Sequence, residues 1–309
     1  MIKYWKQTPQ GYTPIESYEP HCWINVTAPS PDEIARLCRE FEIPTEVISD
    51  ILDPDERSRV EKEDDWLLAI VRIPIHDRED EVPYGTIPLG IILVKKAIIT
   101  VSLKEGALQK EFLDNRVRNL QLTDKAAFIL QVFMRSAILY LQYLKEINRE
   151  TADLERNLQK AIKNTELIKL LLLEKSLVLF ITSLKSNELT LERIQRGNLL
   201  RMDEDDRDLL EDGIIENRQA IETANIYSNI LSGMMDAFAS IISNNVNIIM
   251  KKLTSLSIVL MIPTLIASLF GMNVHVPLQS SPWAFASIAL GSCLLSLLLA
   301  LAFVRRKMI

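Results

Sequence analysis

The sequence predicts an α/β body, a stalk built from long helices, and two transmembrane α-helices at the carboxyl end. Three observations predict it. Acidic and basic residues fill the chain as far as Lys252, whereas Leu253 to Val304 contains none. Runs rich in Ile and Val are short and confined to the amino-terminal part, and after Thr123 no proline occurs until Pro263. Boundaries are accordingly expected at 1–122 for the α/β domain, 123–250 for the helical hairpin and stalk, and 251–309 for the membrane segment with its basic tail.

In the body, His21 to Thr27, Trp66 to His76, Ile87 to Val94 and Ala97 to Leu103 read as strands, the last two forming a hairpin across Lys95 and Lys96. Ser30-Pro31-Asp32-Glu33 carries a capping serine, proline at the first helical position and glutamate at the third. Hydroxyl and carboxylate can then satisfy free N–H groups of a helix running to about Phe41.

After Thr123 the texture is helical. Leu130, Phe133, Ala137, Leu141, Leu144 and Ile147 recur at spacings of three and four, the mark of an amphipathic helix. A second helix is expected over Lys163 to Asn187. Its apolar run Leu170 to Ile181 is interrupted by Glu174 and Lys175, so it reads as a buried hairpin helix and not as a span. A third starts near Asp205 with a heptad-like stripe through Leu210, Ile214, Asn217, Ile221, Ala224, Ser228, Leu231, Met235, Phe238 and Ile242. That stripe suits packing on the hairpin, self-association around an axis, or both on different faces. Continued to the membrane, such a helix of ~65 residues would be roughly 100 Å long.

Leu253 to Phe270 and Trp283 to Val304 are each close to the ~20 residues that cross a bilayer. Lys251 and Lys252 precede the first, Arg305, Arg306 and Lys307 follow the second, and the loop Val274 to Pro282 has no Lys or Arg. Under the positive-inside rule both termini face the cytoplasm, and the body sits at the cytoplasmic side of a plasma (inner) membrane.

The two spans differ in character. The second is almost wholly Leu, Ala and Ile, as suits lipid, while the first interleaves Ser, Thr and Pro with large apolar residues. Such hydroxyls can bond back to their own helix or stitch helices together. Asn247, Met250, Leu253, Ser257, Met261, Thr264 and Ser268, however, follow one another by three or four residues, joining polar and flexible bulky groups along one line. Neither span contributes a carboxylate to that line, and the polar groups near its far end are the amide of Asn273 and the backbone carbonyl of Gly271.

Composition excludes other classes. The net charge of −6 and the lack of any Lys/Arg run leave no footprint for nucleic acid. Cys22, Cys38 and Cys293 lack CxxC spacing, so neither a disulfide framework nor a zinc knuckle is indicated, and His21-Cys22 and His76-Asp77 are too sparse for zinc. Met1 to Gln10 has no apolar core behind a basic segment, so no cleaved leader is expected. No Gly-rich phosphate loop, nucleophile elbow or HExxH is present, so no enzyme is expected. His275 reads as an ordinary loop histidine, with a metal ligand as the alternative, and Asp203-Glu204-Asp205-Asp206 as a solvated helix start suited to the N-terminal dipole, with attraction of cytoplasmic cations as the alternative.

The first span ends in Gly271-Met272-Asn273, and upstream stand Asn247-Ile248-Ile249-Met250-Lys251-Lys252-Leu253-Thr254 and Met261-Ile262-Pro263-Thr264, with a looser match at Asp50 to Arg57. With the two spans and the basic tail, this constellation resembles the CorA family of magnesium channels over nearly the whole chain. The resemblance implies a homopentameric funnel in which five copies of the first span surround the pore and five copies of the second form an outer ring. It implies a selectivity site at Gly271, Met272 and Asn273, with polar rings at Thr264 and Asn247 and a narrow hydrophobic stretch at Met250, Leu253 and Met261. Asp212 falls where the family places one carboxylate of an inter-protomer magnesium sensor, and Asp77 matches its partner. No cofactor is implied; Mg2+ is cargo and regulator.

Two departures from the family pattern stand out. Phe270 replaces the tyrosine of many relatives, and Val274 to Gln279 lacks the acidic residue many place at the mouth. Zinc, cobalt or nickel transport on the same scaffold is the alternative, followed by a non-conducting membrane-anchored sensor, which would need neither the polar stripe nor the Gly-Met-Asn triplet.

Overall fold

Alternation along the strands sends apolar side chains to both faces of one sheet. In β5 (Trp66–His76), Leu67, Ala69, Val71 and Ile73 enter one core while Leu68 and Ile70 enter the other. The structure is a computed structural model that describes residues 1–8, 11–114, 116–117, 120–160, 164–197, 199–272 and 282–306. With β1 (Ile2–Thr8), β2 (Gly11–Ile15), β3 (Cys22–Thr27), β4 (Arg59–Lys62), β6 (Tyr84–Val94) and β7 (Ala97–Ser102), the sheet has the order β2-β1-β3-β7-β6-β5-β4. Neighbours are antiparallel except β3 and β7.

Helices cover both faces. On one, α1 (Pro31–Phe41) and α2 (Thr45–Ile51) contribute Leu37, Ile48 and Ile51. A Cβ at Gly90 would stand 2.3 Å from Cδ1 of the buried Ile51, so α2 reaches the sheet only because β6 carries glycine there. On the other face, α3 (Ala107–Leu113), α4 (Lys125–Lys160) and α5 (Asn164–Arg196) supply Phe112, Phe128, Phe133, Leu191 and Ile194, and α6 (Glu204–Phe270) adds Leu210 and Ile214. The capping box at α1 forms as the sequence indicates: Ser30 Oγ accepts from Glu33 N, and Glu33 Oε2 accepts from Ser30 N at 2.8 Å.

The sheet is longest in β5 and β6, and its ladder runs out on both sides of their far ends. The last β6–β7 pair is Leu89 with Ser102, so Pro88, one residue beyond, lies where β7 has ended and its missing N–H costs no ladder bond. The last β4–β5 pair is Arg59 with Ile70. Two residues on, the side chain of Asn187 takes the place of a strand: Oδ1 accepts from Arg72 N at 2.9 Å and Nδ2 donates to Arg72 O at 2.8 Å. The buried Arg72 guanidinium donates to the carbonyls of Pro54, Glu56 and Thr86, tying the loop before β4 to the sheet. Burial pulls its pKa down from the usual arginine range.

By contacts the chain divides into a unit of residues 1–233 and a unit of residues 234–309, the division falling inside α6. The second unit holds the end of α6 and α7 (Ala284–Arg305). Among the described residues three helices are long and apolar enough to cross a membrane: α4, α6 and α7. The apolar window of α4 is 61% buried within the fold, against 6% for those of α6 and α7, so α4 is a core helix while the other two leave their apolar surface open.

Candidate functional site

The first apolar segment lies wholly within α6, a 67-residue helix with one internal proline, Pro263. Asn247, Met250, Leu253, Ser257, Met261, Thr264 and Ser268 are all exposed, and at 3.6 residues per turn they occupy about a third of its circumference. The opposite side holds the covered residues Ser255, Val259, Ile262, Pro263 and Ile266. In α7 the covered residues include Ile288, Ser292, Ser296, Leu299 and Phe303, again one stripe. With no third helix described in this unit, these are the surfaces that α6 and α7 turn toward each other. Small serines at such a seam permit close approach.

Ser257 Oγ donates to Leu253 O at 2.9 Å and Thr264 Oγ1 donates to Leu260 O at 3.1 Å. Each hydroxyl proton is thereby committed to the helix one turn back, and the oxygen lone pairs remain for an outside donor such as the water shell of a cation. Pro263 withholds the N–H that would bond Val259 O, but on the covered side and not along the exposed line. At the end of α6 Gly271 N still donates to Ala267 O at 2.9 Å, and Met272 is exposed. Asn273, His275 and the rest of the loop through residue 281, like Lys307, lie outside the described residues.

The two carboxylates expected to form a sensor have different surroundings. Asp77 is held in its own chain: Oδ1 accepts from Glu79 N at 3.1 Å and Oδ2 from Lys104 Nζ at 3.2 Å. The backbone N–H and the ammonium hold its carboxyl below the ordinary aspartate range. Lys104 also reaches Asp80, at 3.0 Å. Sequence reasoning misses this lysine, since only the β5–β6–β7 register brings it beside Asp77. Asp212 is exposed on α6 and makes no ion pair among the described residues. The acidic run forms a reciprocal cap at the start of α6, Asp203 Oδ1 accepting from Asp206 N at 2.9 Å and Asp206 Oδ2 from Asp203 N at 3.2 Å. Burial pushes the Asp206 carboxyl upward. His76 stacks on Tyr84 at 4.4 Å and lies 3.0 Å from Pro83 O through Nδ1. Among the described residues no three His, Cys, Asp or Glu side chains converge as a metal cluster.

The described chain is thus an α/β body followed by two apolar helices, one of which bears an uncovered polar line. Residues 18–306 match the family described as CorA-like Mg2+ transporter protein, and the chain belongs to that family. It is 26% identical over 268 residues to the cobalt/magnesium transport protein CorA of Methanocaldococcus jannaschii, covering 85% of this chain and 83% of that protein. It is 22% identical over 308 residues to the protein of the same name from Thermotoga maritima, covering 96% of this chain and 86% of that one. The complete structure of the CorA magnesium transporter from M. jannaschii shares the fold, with a TM-score of 0.82 at 24% identity over 100% of this chain and 99% of that chain.

Proposed function

We propose that the chain is one subunit of a homo-oligomeric channel, a pentamer, that admits magnesium to the cell and is closed by cytoplasmic magnesium. The observation that carries this is the exposed line from Asn247 to Ser268 opposite the seam with α7. Copies arranged around an axis with that line inward give a pore of amide and hydroxyl rings separated by the apolar rings of Met250, Leu253 and Met261. Gly271, Met272 and Asn273 stand at its outer mouth as the selectivity site, facing a hydrated ion. The described residues of neither span include Asp, Glu, Lys or Arg before Arg305, so no proton relay is available. The membrane potential suffices: at ~2.3 kcal/mol per charge per 100 mV, a divalent ion gains about 4.6 kcal/mol. Under the positive-inside rule Lys251, Lys252, Arg305 and Arg306 support a reading with both termini on the cytoplasmic side of a plasma membrane.

Liposomes containing only this protein test the reading. Magnesium entry should follow an imposed inside-negative potential. Because the two relatives are named for cobalt as well, cobalt and zinc are compared in the same vesicles. Zinc flux without magnesium flux would reassign the cargo, and no flux of any ion would leave an anchor.

For regulation, Asp212 of one subunit meets Asp77 of its neighbour, and magnesium between them offsets the repulsion of two carboxylates. Lys104 then competes with the ion for Asp77. Asp212→Ala should shift inhibition by cytoplasmic magnesium to higher concentration in patch recordings and leave selectivity unchanged. An unshifted curve would make Asp212 a solvated helix residue.

A further inference from the structure

The seam between α6 and α7 holds two polar atoms that lack a regular partner, one on each helix. Ser296 is buried, and its Oγ is shut away from solvent with no hydrogen-bond partner among the described residues. Other serines of α7 bond back to their own helix: Ser287 Oγ donates to Trp283 O at 3.0 Å and Ser292 Oγ to Ala289 O at 2.9 Å. An unpaired hydroxyl in an apolar seam forfeits the hydrogen bond it had in water, and native structures rarely leave one without a reason. The second atom is Val259 O, because Pro263 has no N–H to give it. The proline ring also crowds that carbonyl and pushes it outward. Val259 and Pro263 both belong to the covered side of α6, so the carbonyl leans toward α7 and away from the exposed line.

The two atoms stand at one level. Two successive spans run antiparallel, and Lys252 and Arg305 bound their charge-free segments on the same side of the membrane. Matching those two residues sets 259–263 of α6 opposite 294–298 of α7, with Ser296 at the centre. Matching the last covered residues at that end, Ser255 and Phe303, sets 259–263 opposite 295–299, with Ser296 still inside the turn.

We propose that Ser296 is a positioning residue for the line along α6: its hydroxyl donates to Val259 O when α6 bends at Pro263, and that bond holds the bend. In the structure the bond is not made, so α6 is seen in the unlatched form. A helix interrupted by proline has the freedom to bend there, because one bond of its ladder is already missing. Met261 and Thr264 flank Pro263 on the exposed line and belong to an apolar and a polar ring of the pore proposed above. A bend between them changes their spacing and tilt, so a serine on the helix that faces lipid acts on the ion's path through a backbone carbonyl. The consequence for flux rests on the pore reading, whereas the bond itself does not.

A double-mutant cycle on the full-length protein tests this, with helix content followed as SDS is titrated into detergent micelles. Ser296→Ala should lower the folding equilibrium about three-fold, the usual worth of a hydrogen bond between membrane helices, and Ser296→Thr should keep it. Pro263→Ala gives Val259 O its N–H back, and in that background Ser296→Ala should cost nothing. An equal cost in both backgrounds, or none in either, would overturn the proposal, since the hydroxyl would then serve its own helix or nothing. In liposomes Ser296→Ala should change magnesium flux by a comparable factor, and with Pro263→Ala that dependence should vanish. A wild type that conducts, with flux indifferent to Ser296, would overturn the positioning role. Coupling in detergent with no flux from wild type would instead remove the pore reading and leave the bond standing.

Discussion

Met250→Asp is expected to turn the protein into a leak. Met250 is exposed on the same line of α6 as Leu253 and Met261, and in the proposed pore these three form rings with no polar atom able to hold water. A constriction of that kind blocks ions by dewetting, without steric occlusion, and a carboxylate in each copy rewets it. The carboxylates also attract the divalent cation at the narrowest point. Lowering the barrier by ~1.4 kcal/mol already raises flux about ten-fold, and the combined effects should reach at least that. The measurement is magnesium flux into liposomes at high internal magnesium, where the proposed regulation closes the wild type. A Met250→Asp protein as tight as wild type under those conditions would move the gate away from this ring.

Asn273→Ala should have the opposite effect, reducing magnesium uptake to that of protein-free vesicles while the oligomer keeps its size. Magnesium holds its water in near-ideal octahedral geometry and sheds it reluctantly. A ring of neutral amide oxygens can accept hydrogen bonds from that shell without burying charge in the membrane. A methyl group offers no acceptor, so the ion loses its recognition at the mouth while packing along the helices stays as it was. Uptake near wild type in a correctly sized assembly would remove Asn273 from the selectivity site.

The elements with the strongest local chemistry are legible in the amino-acid sequence. Ser30 and Glu33 form the cap their spacing implies, β5 begins at Trp66 and ends at His76 as its apolar run indicates, and the charge-free segments coincide with the end of α6 and with α7. The elements that escape lack a pattern of their own. Strands β1, β2 and β4 give no signal because β4 carries one buried side chain, Val60, β1 only Tyr4 and β2 none; pairing of β4 with β5, β1 with β3 and β2 with β1 makes them strands. Short α2 and α3 each span only two turns. β6 starts at Tyr84 and not at Ile87, because Tyr84, Gly85 and Thr86 pair with His76, Ile75 and Pro74 of β5. α5 continues to Arg196, past the expected end at Asn187, since Thr190, Leu191 and Ile194 stay buried among the charges that disguise them. The line from Asn247 to Ser268 is readable from spacing alone, whereas the Lys104–Asp77 pair needs tertiary structure.

The amide of Asn187 that stands in for a strand beside Arg72 comes from 115 residues further along the chain. At about 5–20 residues per second of synthesis, β5 waits roughly 6 to 23 s with that stretch of backbone unsatisfied after it is made. During that interval the open edge is a template for another chain, and Arg72 has no Ser183 to hold. Yet residue 187 precedes Leu253, so the edge closes before the first apolar span is made. Birth order thus separates two hazards, completing the water-soluble sheet before lipid insertion begins.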